Sequence, residues 1–284
     1  GIVGLDDSLA KLLSSTTLPE DKKKITLRQL LSHCSGLPAW KPYYLSFKTL
    51  PQMTPKAQIR RQILEEPLAY PPATNTVYSD LGFMVVEWII EASSGQDLYN
   101  FTREKLFAHL GCTAPDFIPL GQETDFDHNQ FADTEYCPWR GRILSGEVQD
   151  ENAYALGGVA GHAGLFGTAQ EVKCVLDCIL DTISSENGSG PWSMEHLTEF
   201  LQPARLHPSS TWALGFDTPA SSDSSAGRYF STNSVGHLGF TGTSFWLDLK
   251  KEMAVILLSN RVHPSRYNEK INYFRPLLHD EVMD

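Results

Sequence analysis

No stretch of this chain approaches the ~18 consecutive apolar residues that a membrane-crossing helix needs, so no such span is expected. Basic residues are scarce: 23 Lys and Arg stand against 34 Asp and Glu, a net charge of -11. Binding nucleic acid takes clustered Lys and Arg to neutralise phosphates, so that class of function is excluded. The one basic run, Lys22-Lys23-Lys24, follows Glu20-Asp21 and reads as a solvated turn. Cysteine is sparse as well: Cys34, Cys112, Cys137, Cys174 and Cys178 are scattered, and an odd count leaves at least one unpaired. Cys174 and Cys178 share a helix face and read as buried thiols, since no His or Cys stands near them at ligand spacing. His33, His162 and His237 show no HExxH-type spacing, which argues against a metal-dependent hydrolase. No leader is legible in the opening Gly1-Ile2-Val3-Gly4, and the compartment stays open.

What is present is an ordinary globular composition, 41% hydrophobic and 20% charged, on 284 residues. Apolar spacing predicts a helical turn within Leu5–Leu13 and a short helix capped by Thr26 that ends at Ser35-Gly36-Leu37-Pro38. Further helices are expected over 55–66, 81–92, 97–109 and 169–183, and a loop-rich stretch from about 113 to 165. Glu186–Gly190 reads as a flexible surface loop. The sequons at Asn100 and Asn187 are common by chance and carry no weight. Strands are expected at Arg228–Ser234, Thr243–Leu249 and Met253–Ser259, followed by a helix around 268–279. Helices followed by a short antiparallel sheet predict an α+β fold of one domain, with 1–224 mostly helical and 225–284 forming the sheet and closing helix.

Three segments attract chemistry. Tyr78-Ser79-Asp80 stands at a helix entry, where a phenol, a hydroxyl and a carboxylate suit either a proton-handling cluster or an N-cap. Gly236-His237-Leu238-Gly239-Phe240-Thr241-Gly242-Thr243 offers either free amides for an oxyanion or a bulge at a sheet edge. Gly157–Gly164 is rich in small residues, but it lacks the Lys-Ser/Thr ending of a phosphate loop.

Taken in order, these pieces form a pattern. Ile25-Thr26-Leu27-Arg28-Gln29-Leu30-Leu31-Ser32-His33-Cys34-Ser35-Gly36-Leu37-Pro38 closely resembles a stretch of the class C β-lactamase-like and penicillin-binding protein serine hydrolases. Tyr78-Ser79-Asp80 resembles that family's Tyr-x-Asn motif, and His237-Leu238-Gly239 stands where it has Lys-Thr-Gly or His-x-Gly. His162–Phe166 and Ser259–Pro264 extend the resemblance along nearly the whole chain. It implies a β-lactamase/transpeptidase-like fold and an acyl-enzyme mechanism in which the serine of a Ser-x-x-Lys motif attacks a carbonyl. Tyr78 would then be the acid or base partner, Asp80 would hold the lysine or a substrate amide, and His237 would orient Tyr78. Gly239 completes the His-x-Gly, and the Phe240 amide would be an oxyanion donor. The implied substrate is an ester, amide or peptide, no cofactor is implied, and the bacterial envelope is the implied place of work.

Two departures from the pattern narrow the expectation. Asp80 in place of Asn adds a charge and removes an amide donor. His237 in place of Lys is charged only below its reference pKa of about 6.5, so its pull on a substrate carboxylate fades near neutrality. Both favour an esterase or peptidase over a β-lactamase. The family's Ser-x-x-Lys helix precedes the part resembling Gly1–Leu13, so the nucleophile and its strands are expected to be missing. Ser8-Leu9-Ala10-Lys11 matches the motif literally but reads as a chance match. The chain alone is therefore expected to expose a sheet edge and an apolar face, and to be unstable or inert. The alternative is a non-catalytic relative that binds peptides or wall fragments in the same cleft.

Overall fold

The computed structural model describes residues 2–46, 53–121, 130–184 and 191–284; the expected Glu186–Gly190 loop lies outside them. The chain forms α1 (Leu9–Leu12), α2 (Leu27–Leu31), α3 (Pro55–Glu65), α4 (Asp80–Ser94) and α5 (Leu98–Lys105). These are followed by β1 (Asp116–Phe117), β2 (Tyr136–Cys137), β3 (Arg142–Ile143), α6 (Glu151–Ala155) and β4 (Leu165–Phe166). The remainder is α7 (Ala169–Ser184), α8 (Met194–Phe200), β5 (Ser234–Leu238), β6 (Ser244–Asp248), β7 (Met253–Leu257) and α9 (Ile271–Met283).

The helix starts follow from capping chemistry. Thr26 accepts the Gln29 amide at 3.2 Å while the Gln29 side chain accepts the Thr26 amide at 3.0 Å, a reciprocal box that opens α2. Thr54 and Asp97 cap α3 and α5 by a single bond each, accepting the Ala57 and Asn100 amides, and Gly95 in the left-handed region closes α4. Buried Leu9, Leu13, Leu30, Ile59, Ile63, Leu81, Val85 and Ile89 join α1, α2, α3 and α4 into the main helical core.

The three-stranded sheet runs β5-β6-β7, antiparallel throughout. Side chains alternate between its faces, so one register makes two cores. Val235 and Leu247 face Leu176 and Ile179 of α7 and Leu197 of α8. Trp246 and Val255 face Phe230 and Met283, the latter on α9. β7 is paired on one side only among the described residues. Beside this layer α9 presents Tyr273, Phe274 and Leu277 at 78%, 50% and 66% exposure.

Several expectations need correction. The first sheet strand is Ser234–Leu238, not Arg228–Ser234, because Asp248 draws the preceding chain into a turn by accepting the Ser231 amide and hydroxyl. The stretch from 113 to 165 is loop-rich as expected, and within it no sequence signal marks α6 or the two small antiparallel pairs, β1 with β4 and β2 with β3. These elements are two to five residues long, too short for a periodicity to register. Lys22 is buried, unlike Lys23 and Lys24, with its ammonium 3.0 Å from Asp21. Cys174 is not a free thiol: it is bonded to Cys112, whose Cα lies 6.3 Å away, while Cys34, Cys137 and Cys178 are free. No helix is long and apolar enough to cross a membrane among the described residues.

Candidate active site

Ser79 settles the choice between a cap and a proton-handling cluster. Its hydroxyl accepts the Gly82 amide at 3.1 Å and donates to the Pro38 carbonyl at 2.7 Å, so it caps α4. The cap function is thereby met by one residue, and its two neighbours remain for chemistry. Asp80 occupies the first turn of α4, where its amide donates to the Ala39 carbonyl at 2.9 Å. Tyr78 lies on the extended segment before the helix, fixed by a 3.0 Å bond from the Val77 amide to the His33 carbonyl.

The turn that carries His33 is unusual backbone. His33 has φ 56, which few side chains adopt without strain, and Gly36 has φ 84. A Cβ at Gly36 would meet the Tyr70 carbonyl oxygen at 2.3 Å, so only glycine fits there. The turn brings the His33 ring against Tyr78 (centroids 4.6 Å apart), Phe83 (5.2 Å) and Trp212 (4.3 Å). His237, from the middle of β5, closes the group at 5.9 Å from Tyr78 and 5.7 Å from Trp212. Three rings from distant parts of the sequence, His33, Trp212 and His237, thus meet around Tyr78.

Burial decides the charges here. Nδ1 of His237 faces the Leu238 carbonyl at 2.9 Å; a carbonyl only accepts, so Nδ1 carries the proton and Nε2 keeps its lone pair. Burial pushes the His237 pKa below its ordinary value. His33 falls to about 3, from burial first and the neighbouring His237 second. Burial, and then Asp80 and Asp150, raise the Tyr78 phenol, which hydrogen-bonds to Asp80. Asp80 rises to about 6 through burial, with Asp150 adding to the rise and His162 opposing it. Tyr78 as a whole is 44% exposed. Solvent reaches part of the residue while the hydroxyl lies between the rings and carboxylates that shift it.

Gly239 and Phe240 form the turn between β5 and β6. The Gly239 amide donates to the Thr243 carbonyl at 2.8 Å, and Arg275 of α9 reaches that carbonyl at 3.0 Å from behind. The Phe240 amide has no hydrogen-bond partner among the described residues, as an oxyanion donor requires. The glycine-rich segment is therefore a hairpin turn rather than a bulge at a sheet edge. Lys11 is bonded to Asp7 at 2.6 Å with its side chain 70% exposed, and Ser8 bridges Thr26. Neither is among the groups in contact with Tyr78.

One further group lies under the site. Nε2 of His162 is 2.9 Å from Oδ1 of Asp150, and the ligand atoms of Asp80, Asp150 and His162 all lie within 4.8 Å of one another. This is a spacing a metal ion could use, although the imidazole is already bonded to Asp150. Sequence reasoning missed Asp150 and Trp212 and noticed His33 only as part of a motif. The lone signal for Asp150 was its position before a short helix, and Trp212 had none.

A family model described as Beta-lactamase matches residues 1–279. An Escherichia coli O157:H7 protein, provisionally named a D-alanyl-D-alanine carboxypeptidase, is 32% identical over 91% of this chain and 63% of its own length. An N-acetylmuramyl-L-alanine amidase of Bacillus subtilis (strain 168) is 32% identical over 87% of this chain and 58% of its own. The chain therefore spans about three fifths of these relatives. In fold it is similar to a penicillin-binding protein from Bacillus halodurans, with a TM-score of 0.68 and 15% identity over 100% of this chain and 80% of that one. It is also similar to EstCE1, a hydrolase with promiscuous acyltransferase activity, with a TM-score of 0.63 and 18% identity over 97% of this chain and 78% of that one.

Proposed function

The chain belongs to the β-lactamase family, and from that premise we propose that it forms the proton-handling and oxyanion part of a serine acyl hydrolase. The observation that supports this reading is the meeting of Tyr78, Asp80 and His237, with the Phe240 amide, unpartnered among the described residues, three residues after His237 in the chain. An acyl transfer needs a group that moves a proton between nucleophile and leaving group, and donors where negative charge develops on the carbonyl oxygen. Tyr78 supplies the first. With Asp80 beside it and no ammonium in contact among the described residues, it is held as a phenol, so its role is to donate a proton to the leaving group. The Phe240 amide supplies a donor for the oxyanion.

The lining narrows the substrate. Two neutral imidazoles and three further aromatic rings offer no positive charge to a substrate carboxylate. The reading is an ester, amide or peptide bond, and a carboxylate beside it would find its positive charge at Arg261, whose guanidinium lies 4.4 Å from the Phe240 ring, rather than at His237. Two of its relatives are named a D-alanyl-D-alanine carboxypeptidase, provisionally, and an N-acetylmuramyl-L-alanine amidase. The second reading, a domain that binds such peptides without cleaving them, has one observation in its favour. Among the described residues no Ser-x-x-Lys pair contacts Tyr78, and Lys11 is bonded to Asp7 instead.

A fluorophosphonate probe with intact-mass detection separates the readings, with Ser8→Ala and Tyr78→Phe variants as controls. An adduct that persists in Ser8→Ala and slows by 100-fold or more in Tyr78→Phe supports the hydrolase, general acid–base groups contributing about 10²–10⁴-fold. An adduct lost in Ser8→Ala makes Ser8 the nucleophile and overturns its exclusion. No adduct on folded protein means that this chain supplies no nucleophile, which both readings allow; saturable binding of an acylated D-alanyl-D-alanine peptide, with turnover still absent once a segment bearing Ser-x-x-Lys is joined upstream, then supports the binding module.

A further inference from the structure

A second set of aromatic rings has no part in the chemistry above. Trp40, Tyr44, Trp139 and Tyr154 form a row, with centroids 6.5, 4.7 and 5.8 Å apart from one ring to the next. They come from three places: the loop before α3, the turn between β2 and β3, and α6. Trp40 and Trp139 are 40% and 42% exposed. Single exposed rings are ordinary, but indoles joined in a continuous row make a contact surface.

The row is firmly held, and its anchors lead to the candidate site. Trp40 follows Ala39, whose carbonyl accepts the Asp80 amide at 2.9 Å. Trp139 stands in the tight turn that the Gly141 amide closes on the Cys137 carbonyl at 2.8 Å. Its neighbour Arg140, with a side chain 2% exposed, ties that turn down by donating to the carbonyls of Val148, Gln149 and Asp150 at 2.7, 2.8 and 3.3 Å. Between the two indoles, the Tyr44 amide donates to Oδ1 of Asn152 at 3.0 Å, and Nδ2 of Asn152 donates to the Lys41 carbonyl at 2.8 Å. Each indole is thus one residue away from a direct bond to Asp80 or Asp150, the two carboxylates that lie together under the site.

The polar groups decide what the row fits. The indole N–H groups of Trp40 and Trp139 and the Tyr44 hydroxyl have no hydrogen-bond partner among the described residues. The charges around them are matched: Lys41 pairs with Glu66 at 2.8 Å and Arg142 with Glu147 at 2.9 Å. What the row offers is therefore apolar ring faces with neutral donors at their edges, which suits a ligand of the same mixed character. A pyranose ring has that form: its faces are C–H bonds and its polar substituents point outward. An acetamido carbonyl on such a ring is the stronger neutral acceptor for the three donors. We propose that the Trp40–Tyr44–Trp139 row is a sugar subsite, seating an N-acetylated amino-sugar ring joined to the substrate whose acyl bond lies at Tyr78. This deepens the reading above and rests on it for the place of the acyl bond. The substrate is then a glycopeptide: the indoles hold its sugar while Tyr78 meets its acyl bond.

The test is binding and needs no turnover. The full chain is titrated with N-acetylmuramyl-L-alanyl-D-isoglutamine and, as the sugar-free control, with L-alanyl-D-isoglutamine, followed by tryptophan fluorescence and saturation-transfer NMR. The sugar compound is expected to bind at least about tenfold more tightly, with its ring C–H protons taking up the most saturation. Trp40→Ala and Trp139→Ala should each weaken it about tenfold, the weight of one aromatic anchor, and leave the control unchanged. Equal affinity for the two compounds, or no loss in the folded variants, overturns the proposal. So does tighter binding of a sugar-free peptide bearing phenylalanine, which would make the row a peptide surface. Should Trp139→Ala fail to fold, Trp40→Ala decides alone, since Tyr44 is the one ring in contact with Trp40 among the described residues. Loss of the hydrolase reading would leave a sugar site that binds standing, and a sugar that fails to bind would leave that reading standing.

Discussion

The Ser79 amide donates to Nδ1 of His33 at 3.0 Å, a bond spanning 46 residues that ties the His33 turn to the start of α4. An amide can only donate, so Nδ1 of His33 is unprotonated and its proton sits on Nε2. That nitrogen is buried without a hydrogen-bond partner, among the rings of Tyr78, Phe83 and Trp212. The site therefore depends on a neutral His33: protonating Nδ1 would break the bond that positions Tyr78-Ser79-Asp80.

This dependence predicts acid sensitivity. His33 titrates at about 3 in the fold against 6.5 ordinarily. The unfolded chain takes the proton first, so this residue's contribution to stability is lost as pH falls from 6.5 toward 3, at about 1.4 kcal/mol per pH unit. Asp80 acts in the opposite sense: raised to about 6, it binds a proton earlier in the fold and favours the native state as pH falls from 6 to 3.8. Comparing His33→Asn with the native chain isolates the first effect, since Asn tolerates positive φ and does not titrate. Urea unfolding at pH 7, 5.5 and 4 should show the variant less stable at pH 7 and the gap narrowing toward pH 4.

How much of this was legible in the sequence depends on the range of each interaction. Thr26, Thr54 and Asp97 were readable or nearly so, because a cap acts over three residues. The helices around α3, α4 and α7 and the last two strands were readable because an apolar period repeats within them. The motif order pointed to Tyr78, Asp80, His237 and Gly239, of which the fold brings Tyr78, Asp80 and His237 together. The His33–Ser79 and His162–Asp150 bonds could not be derived locally, since each joins side chains brought together by the packing of other elements. Trp212 sits in a polar loop whose path is set by the pairing of Asp217 with Gly236. Nothing in its neighbours' identities announces that.

Removing the Ser79 hydroxyl should separate structure from chemistry. Ser79→Ala loses the cap on the Gly82 amide and the bond to the Pro38 carbonyl, both in a buried setting. The expected cost is about 1–2 kcal/mol, seen as a lower midpoint in thermal or urea unfolding. Tyr78→Phe, by contrast, keeps the ring contacts and should unfold within about 0.5 kcal/mol of the native chain. Equal losses in the two variants would mean that the Tyr78 hydroxyl is structural.

The Cys112–Cys174 bond closes a loop of 62 residues between the end of the α5 region and α7. Chain-entropy arguments give such a crosslink about 4 kcal/mol of stabilisation through the unfolded state. Peptide mapping without reductant should recover a 112–174 linked pair. Cys34 and Cys137, both 0% exposed, should alkylate only after denaturation. The double variant Cys112→Ser/Cys174→Ser should melt at a lower temperature than the native chain and show no further loss on adding dithiothreitol. A native chain indifferent to dithiothreitol would remove the bond from the account of its stability.

The outer layer of the sheet makes a prediction about association. β7 is paired on one side only among the described residues, and Tyr273, Phe274 and Leu277 of α9 lie exposed beside the same layer. An open strand edge offers unpaired backbone groups, and a neighbouring apolar patch lowers the cost of bringing a second surface to it. Self-association of the 284-residue chain should therefore rise with concentration in light scattering. Leu277→Lys, combined with Tyr273→Lys, should reduce it while leaving the unfolding midpoint within about 0.5 kcal/mol, because both side chains already face solvent. If the charged variant associates as strongly as the native chain, the α9 face plays no part and the β7 edge is the surface to block next, by a proline at an outward-facing amide.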